Sequence, residues 1–228
     1  MLFEGQTGSD FGLWVTNGTP SGTVQLTPIT GANANFRPSD LTVFSAEVLF
    51  NGTDTGGHAS LWKTGGTAAT TQEIAGITGP AAAGLNPSDF TVFNSGEVLF
   101  NGDDSRSDTA GRAVSGLWET NGTGAGTIEL IGAGTGGGSA QGGLDDITVF
   151  GADALFAATN ATGLVGLWEW NSSIPTTATE VTVAGANSLG LLPNALTDLN
   201  GVALFNGLDT DGNPGLFEFD VTTGPGAS

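Results

Sequence analysis

The sequence predicts an all-β fold, a five-bladed β-propeller that occupies residues 1–228 as a single domain. Three observations predict it. A Leu-Phe pair, a Leu-Trp pair and a segment of the Leu-Thr-Val-Phe type recur in the same order, at intervals of about 50 residues. A unit of that length, made of four short strands, is typical of a propeller blade.

The first two landmarks mark neighbouring strands of each repeat. The Leu-Phe pairs place repeat starts near residues 2, 49, 99, 155 and 204. The third strand carries the second landmark, at Leu13-Trp14, Leu61-Trp62, Leu117-Trp118, Leu167-Trp168 and, as its fifth copy, Leu216-Phe217. The inner strand precedes four of the Leu-Phe pairs, at 41–44, 90–93, 147–150 and, in degenerate form, 196–199.

Turn residues separate the strands within a repeat. Residues 89–94 read as an inner strand, Ser95-Gly96 as a hairpin turn and 97–101 as the antiparallel return. A third strand at 60–64 ends at Gly65-Gly66, and fourth strands are expected at 71–74 and 127–131. The glycine-rich stretch 132–143 reads as a loop, and no segment has a helical apolar period.

The repeated apolar residues are expected to form the core where neighbouring blades stack. Trp14, Trp62, Trp118 and Trp168 are interpreted as inter-blade core, with a sugar-stacking platform as the alternative. Trp170 replaces a threonine of the other repeats and is interpreted as a local packing change. The residues expected to be buried are Leu49, Phe50, Trp62, Val92, Phe93, Leu99, Phe100, Trp118, Val149, Phe150, Phe156 and Trp168.

The landmarks also predict that the first and last blades are incomplete. The first lacks its inner strand, and the last lacks its outer strand unless residues 221–226 supply it. Unpaired strand edges invite pairing with another chain. We therefore expect either that the chain is an excerpt of a longer repeat protein or that it self-associates through its open blade edges.

Composition and charge exclude several classes of partner and chemistry. The chain has 23 acidic residues against 4 basic ones and a net charge of −19, which repels nucleic acids and anionic membrane surfaces. It has no cysteine, one histidine (His58) and no apolar stretch long enough to insert into a membrane. Its start does not have the basic character of a secretory signal peptide, although some bacterial export routes read a C-terminal signal.

Two segments carry a family resemblance. Residues 13–23 (LWVTNGTPSGT) and 117–127 (LWETNGTGAGT) resemble the bacterial ELWxxDGT repeat family, and the three other repeats are weaker copies. The resemblance implies a domain of large exported or surface-attached bacterial proteins, often accompanied by calcium-binding repeats, with no established enzymatic activity. The family's glutamate before Leu-Trp is absent, because those positions hold Gly12, Ser60, Gly116, Gly166 and Gly215.

Acidic loops after the Leu-Phe strands are candidate calcium sites. Calcium takes six to eight oxygen ligands, and these loops offer several close together in sequence. The candidate ligands are Asp54, Asp104, Asp108, Asp209, Asp211 and Asn213. The loops lack the spacing and flanking helices of an EF-hand, and the alternative is that these residues simply cap turns.

The sequence favours a non-catalytic, extracellular or cell-surface binding and adhesion module, with lectin-like carbohydrate binding. Its partners would be glycans or another protein chain. A structural or assembly role in a large surface protein is the alternative. A propeller glycoside hydrolase is less favoured, because its paired carboxylates would have to come from inner-strand acids that recur in register. Those acids are Asp40, Asp89, Asp145, Asp146 and Asp198.

Overall fold

The computed structural model describes residues 1–107, 113–131 and 144–221. These residues form β-strands in five antiparallel sheets, with a short 3-10 turn at Ala68–Thr70. No helix in this part of the chain is long and apolar enough to cross a membrane. The all-β prediction is confirmed.

Each sheet corresponds to one sequence repeat. Sheet 1 is ordered β1 (Leu2–Thr7), β2 (Asp10–Thr16), β3 (Thr23–Gln25). Sheet 2 is ordered β4 (Ser39–Phe44), β5 (Glu47–Thr53), β6 (Ala59–Thr64), β7 (Gln72–Glu73). Sheet 3 contains β8 (Ser88–Val92), β9 (Val98–Ser107), β10 (Ala113–Thr120) and β11 (Thr127–Ile131), again in chain order.

Sheets 4 and 5 continue the pattern. Sheet 4 is ordered β12 (Asp145–Phe150), β13 (Asp153–Thr159), β14 (Val165–Asn171), β15 (Ala178–Glu180). Sheet 5 is ordered β16 (Asn194–Leu199), β17 (Val202–Leu208), β18 (Pro214–Asp220). Among the described residues the sheets thus have three, four, four, four and three strands, with the first and last incomplete as the landmarks predict.

The chain forms two compact units. One contains sheets 1 and 2, the other contains sheets 4 and 5, and the residues of sheet 3 are divided between them. The arrangement of the sheets as five blades around one axis stays a prediction.

The inner strands of four sheets share a β-bulge, which the sequence does not predict directly. In sheets 2, 3, 4 and 5 the pairing register shifts after the first residue of the inner strand. The residue at the shift has a left-handed backbone conformation, with φ of +53°, +56°, +60° and +56° at Asp40, Asp89, Asp146 and Ala195. Aspartate tolerates this conformation better than most residues. The recurring Pro-Ser-Asp segment is therefore a structural strand entry, as its repetition suggested.

Most of the predicted core is buried. Leu49, Phe50 and Trp62 are fully buried in sheet 2, and the same holds for the equivalent residues of sheet 3. Phe150, Phe156 and Trp168 are also buried in sheet 4. Trp170, which was interpreted from the sequence as a local packing change, is 1 % exposed and belongs to the core.

Three predicted core positions were wrong. Val92 is 44 % exposed, and Phe93 and Val149 are only half-buried. Successive side chains of a strand point to opposite faces, so an inner strand cannot bury all four residues of its landmark. Val43, at the position equivalent to Val92, is likewise 70 % exposed.

Trp14 also departs from the prediction, because it is half-buried while Trp62, Trp118 and Trp168 are buried. In sheet 2 the ring of Phe36 packs edge-on against Trp62 at a centroid distance of 4.8 Å. Phe36 lies just before the inner strand of sheet 2, and sheet 1 has no inner strand in the part of the chain that the structure describes. Trp14 instead stacks on Phe3 at 6.4 Å.

The short elements are predicted with mixed accuracy. The fourth strand 127–131 is confirmed with the same bounds, while the one expected at 71–74 is only two residues long. The expected loop 132–143 lies outside the described residues.

Candidate functional site

The hairpins between the second and third strands of sheets 2, 4 and 5 contain the same five-residue turn. In residues 54–58, 160–164 and 209–213 the first N–H donates to the last carbonyl, at 2.9, 2.8 and 2.9 Å. The side chain of the first residue closes the turn from within. Asn160 Oδ1 accepts the N–H groups of residues 162 and 164 at 3.0 and 3.1 Å. These turns are Asx turns, in which a side-chain oxygen replaces a backbone acceptor.

Asp209 and Asp54, two of the candidate calcium ligands, accept backbone N–H groups in their own turns in the same way. Asp209 Oδ1 accepts the N–H groups of Asp211 and Asn213, both at 2.9 Å. Asp54 Oδ1 accepts the His58 N–H at 2.8 Å, and Asp54 Oδ2 lies 3.1 Å from His58 Nδ1. Because Asn160 fills the same role without a charge, turn geometry by itself accounts for both carboxylates.

The hydrogen bonds also affect the acidity of these two groups. The N–H of Asn213, and behind it that of Asp211, holds the pKa of Asp209 below its usual value. For Asp54, desolvation acts to raise the pKa, but the hydrogen bonds from His58 outweigh it and the net pKa is lowered. Both side chains are therefore carboxylates at neutral pH.

The structure does not bring the six predicted calcium ligands together. Asp54 and Asp209 directly follow β5 and β17 in two different sheets, and only Asp209, Asp211 and Asn213 share a turn. The expected loop position of Asp104 was wrong, because Asp104 lies within β9, which continues to Ser107. Asp104 is buried, at 1 % exposure. Asp108 lies outside the described residues. No group of three or more His, Asp or Glu side chains that could hold a metal ion occurs in the described ranges.

The inner-strand acids considered for glycosidase chemistry have local structural roles. Asp146 Oδ2 accepts the Leu196 N–H of the next inner strand at 2.6 Å. Asp145 Oδ1 accepts the Asp146 N–H at 2.9 Å, and Asp198 Oδ1 accepts the Gly201 N–H in a turn at 2.7 Å. Asp40 and Asp89 occupy the left-handed bulge position.

The most site-like feature is a pocket that recurs in sheets 1, 2 and 4. Its volume is about 210, 260 and 360 Å³ respectively. Each copy lies beside the Leu-Trp strand and the strand after it, which are β2 and β3 in sheet 1, β6 and β7 in sheet 2, and β14 and β15 in sheet 4. The segment that leads to the next inner strand forms its other side. Five equivalent positions line all three copies: Gly12, Leu13, Gln25, Leu26 and Phe36 in sheet 1; Ser60, Leu61, Glu73, Ile74 and Leu85 in sheet 2; and Gly166, Leu167, Glu180, Val181 and Leu191 in sheet 4.

The pocket has one polar position in common, on the fourth strand. Gln25, Glu73 and Glu180 lie directly opposite the repeat tryptophans in the strand pairing. Their carboxylate or amide group stands over an apolar floor formed by the neighbouring leucine, isoleucine, valine and phenylalanine side chains. Such a combination suits a small ligand that has both polar groups and an apolar face.

Sequence reasoning missed this pocket. It concentrated on the acid-rich loops after the second strand, whereas the polar position of the pocket lies on short fourth strands with weak patterns. A signal was available, because an acid or amide follows two residues after a threonine at Gln25, Glu73 and Glu129. Only the structure shows that this residue pairs with the repeat tryptophan and that, in sheets 1 and 4, its side chain lies over the glycine before Leu-Trp.

Comparison with known proteins bears on the fold. No protein-family model matches the chain, and no curated protein matches it. Among solved structures, it is similar to putative TolB from Agrobacterium tumefaciens, with a TM-score of 0.51 and 14 % identity over 91 % of this chain and 74 % of that one.

Two further similarities are weaker. TolB from Acinetobacter baumannii gives a TM-score of 0.47 and 12 % identity, covering 96 % of this chain and 51 % of that one. The GH43_1 enzyme from Xanthomonas citri, complexed with xylose, gives 0.42 and 10 %, covering 92 % and 77 %. This chain thus spans about half the length of the Acinetobacter protein. At such identities the likeness concerns the fold alone, and the fold is all-β and β-propeller-like.

Proposed function

We propose that this chain is a non-catalytic binding module that acts outside the bacterial cell, and that its repeated pockets each take one residue of a glycan. The observation that carries the proposal is the pocket itself, built three times from equivalent positions of different sheets. A catalytic centre needs one unique arrangement of groups. A binding surface gains from repetition.

The chemistry of the pockets supports a carbohydrate ligand. A sugar ring offers hydroxyl groups to a carboxylate or amide and C–H faces to an apolar floor, which are the two features that every copy provides. The pockets are at or below the lower end of the roughly 300–1,000 Å³ range of drug-sized sites, so each suits a single ring. Weak single sites joined on one chain bind a polymer with added avidity.

The non-catalytic part of the proposal is supported by the roles of the inner-strand acids. Hydrolysis of a glycoside requires two carboxyl groups on either side of the scissile bond. In this chain the carboxylates of Asp146 and Asp198 accept backbone N–H groups instead.

A glycan array followed by a matched set of variants tests the proposal. We expect the chain to bind immobilised glycans more tightly than the same sugars in solution, because only the immobilised form engages several pockets. The triple variant Gln25→Ala, Glu73→Ala, Glu180→Ala should lose that binding, while the exposed-site variant Glu218→Ala should keep it. Silence across the array, or unchanged binding by the triple variant, would overturn the proposal.

A second candidate role is assembly with another copy of the chain, and one observation in sheet 1 favours it. The Trp14 indole N–H is buried and has no hydrogen-bond partner among the described residues. The equivalent Trp62 and Trp168 donate to the carbonyls of Gly52 and Ala158 at 3.1 and 3.0 Å. Sedimentation velocity tests this role: association that rises with concentration and weakens in Trp14→Phe supports it, and a monomer at every concentration contradicts it.

A further inference from the structure

The pocket of sheet 2 differs from its copies in having an unengaged carboxylate. In sheet 1, Gln25 Oε1 accepts the Thr7 hydroxyl at 3.3 Å. In sheet 4, the Glu180 carboxylate accepts the Asn160 amide at 3.1 and 3.3 Å. Glu73, at the equivalent position, has no hydrogen bond or ion pair within the part of the chain that the structure describes.

Sheet 3 shows what an engaged glutamate at this position looks like. Glu129 follows Thr127 by two residues, as Glu73 follows Thr71, and both threonines make the same hydroxyl contact to the third strand at 2.7 Å. The guanidinium of Arg106, which comes from the preceding hairpin, forms an ion pair with Glu129. Counted from the Leu-Phe landmark, the residue equivalent to Arg106 in sheet 2 is Gly56, which has no side chain to reach Glu73.

One residue difference on the third strand, a serine in sheet 2 where sheets 1 and 4 have glycine, contributes to the free state of Glu73. A Cβ added at Gly12 would lie 2.3 Å from Gln25 Nε2, and one added at Gly166 would lie 2.4 Å from Glu180 Oε1. In sheets 1 and 4, therefore, the fourth-strand side chain lies directly over a glycine. Sheet 2 has Ser60 in that place, so Glu73 cannot lie over the third strand in the same way.

Ser60 also brings a polar group of its own. Ser60 is 9 % exposed and lines the pocket. Its hydroxyl has no hydrogen-bond partner in the described ranges. Across the pocket, the Asp54 carboxylate is already occupied by His58. A cavity of about 260 Å³ thus holds one free carboxylate and one free hydroxyl above the apolar side chains of Leu61, Ile74 and Leu85.

We infer that the sheet 2 pocket selects a sugar residue that has a free, protonated amino group. The inference rests on the proposed glycan-binding function and names the ligand class of one of its sites. The ammonium group replaces the Arg106 guanidinium as the partner of the glutamate, through charge-assisted hydrogen bonds. A ring hydroxyl meets Ser60, and the ring covers the apolar floor. The net charge of −19 increases the local concentration of such a cation.

The test compares two oligosaccharides that differ only at nitrogen. One is a β-1,4-linked glucosamine oligomer and the other is its fully N-acetylated form, titrated by calorimetry at about pH 6, where an amine of this kind is protonated. We expect the free-amine oligomer to bind about tenfold more tightly, as one charge-assisted contact supplies. Glu73→Gln should abolish that preference.

Two further variants separate specific binding from general attraction. Glu4→Gln removes the same charge from an exposed position outside the pocket and should keep the preference. Ser60→Gly restores the glycine of the other sheets and should weaken binding of the amine severalfold, because Glu73 can then lie over the third strand. The melting temperature of each variant confirms that it is folded.

Each outcome decides between the inference and the function on which it rests. Equal binding of the two oligomers, or a preference that survives Glu73→Gln, overturns the inference and leaves the proposed function standing. Absence of binding to both oligomers overturns the inference, and a silent glycan array overturns the function as well. An arginine-rich peptide that binds at Glu73 as tightly as the amino sugar overturns the assignment to a glycan.

Discussion

Ala195 has the same left-handed backbone conformation as three aspartates in the equivalent bulges, with φ of +56°. An L-residue with a Cβ pays about 1–2 kcal/mol in this region, and Asp recovers part of it through its side chain. Alanine cannot, so the bulge of sheet 5 is strained where those of sheets 2, 3 and 4 are accommodated.

Ala195→Gly should therefore raise the free energy of unfolding by about 0.5–1 kcal/mol, because glycine adopts positive φ without a steric cost. Urea denaturation measures it. Ala152→Gly is the matched control, since Ala152 is exposed and is not among the positive-φ residues. It should be neutral or destabilising. An equal gain from both substitutions would contradict the strain at Ala195.

The surroundings of Glu169 disfavour the charged form of its side chain. It is 7 % exposed, and burial, followed by the nearby charge of Asp153, raises its pKa above 4.5. In sheet 2 the corresponding pair is Glu47 and Lys63, which form an ion pair at 3.1 Å. Sheet 4 has an acid where sheet 2 has the lysine.

Glu169→Gln should stabilise the chain at neutral pH by about 0.5–2 kcal/mol, the usual range for removing an unfavourable charge. The folded state holds the proton more tightly than the unfolded state, so the contribution of Glu169 is fully present below the unfolded pKa and is lost as pH rises through the folded pKa. The difference in unfolding free energy between variant and parent should therefore grow from about pH 4 upward. A difference that does not change with pH would contradict this account.

At the scale of the element, the Asx turns of sheets 2, 4 and 5 offer a direct comparison of two hypotheses for the acid-rich loops. If Asp209 serves only the turn, asparagine can replace it, as Asn160 does in sheet 4. If the loop binds calcium, the second carboxylate oxygen and its charge are needed.

We expect Asp209→Ala to lower the melting temperature, because two N–H groups lose their acceptor, and Asp209→Asn to lower it much less. If the loop binds calcium, calcium should raise the melting temperature of the parent above the effect of magnesium or sodium at matched ionic strength, since a ligand of the folded state stabilises it by mass action. That excess should vanish in Asp209→Asn. Equal effects of all three salts would show that screening is the whole cause.

The strands were predictable because their signals are local. In sheets 2, 3 and 4 the Leu-Phe and Leu-Trp pairs mark strands that are buried on both faces, and turns such as Asn17-Gly18 and Gly65-Gly66 end the third strands. The exposure of Val92 was not predictable, because residues 90–93 contain three apolar side chains and one threonine, a pattern that does not show which face each one occupies.

The recurring pocket could not be predicted for a related reason. It depends on which residue pairs with the tryptophan on the fourth strand, and in sheet 2 that pairing comes from a β7 of only two residues. Asp54, Asp209, Asp211 and Asn213 lie in hairpin turns as expected, whereas Asp104 lies within β9. The linear sequence also does not show that Asp209 Oδ1 is already used by two backbone N–H groups.

At the scale of the whole molecule, the repeats are alike in backbone and unlike in charge. The tryptophan-bearing strand, the Asx turn and the inner-strand bulge recur, whereas the polar contacts around them change from sheet to sheet: Lys63 with Glu47, Arg106 with Glu129, and Asn160 with Glu180. Repetition supplies the fold, and the substitutions at single positions within it supply differences in binding.

Comparing the strands of the complete and incomplete sheets also predicts which strands lose their backbone hydrogen bonds first in local unfolding. β1 is an edge strand of sheet 1, while its equivalents in the four-stranded sheets, such as β5, are paired on both sides. Among the described residues β18 is likewise an edge strand, and its Leu216 is 75 % exposed where the equivalent Leu61 is 1 % exposed. Strands with fewer buried contacts and unpaired backbone groups open at lower free energy.

Hydrogen exchange followed by mass spectrometry should therefore find β1 and β18 less protected than β5 and β6 in a dilute, monomeric sample. The comparison is internal, because the paired strands have nearly the same sequence pattern and differ in whether a neighbour covers their edge. If protection of β1 rises with protein concentration while β5 is unchanged, another copy is covering the open edge, as the assembly role requires. Equal protection of all four strands in a monomer would mean that the edges of sheets 1 and 5 are already satisfied within one chain.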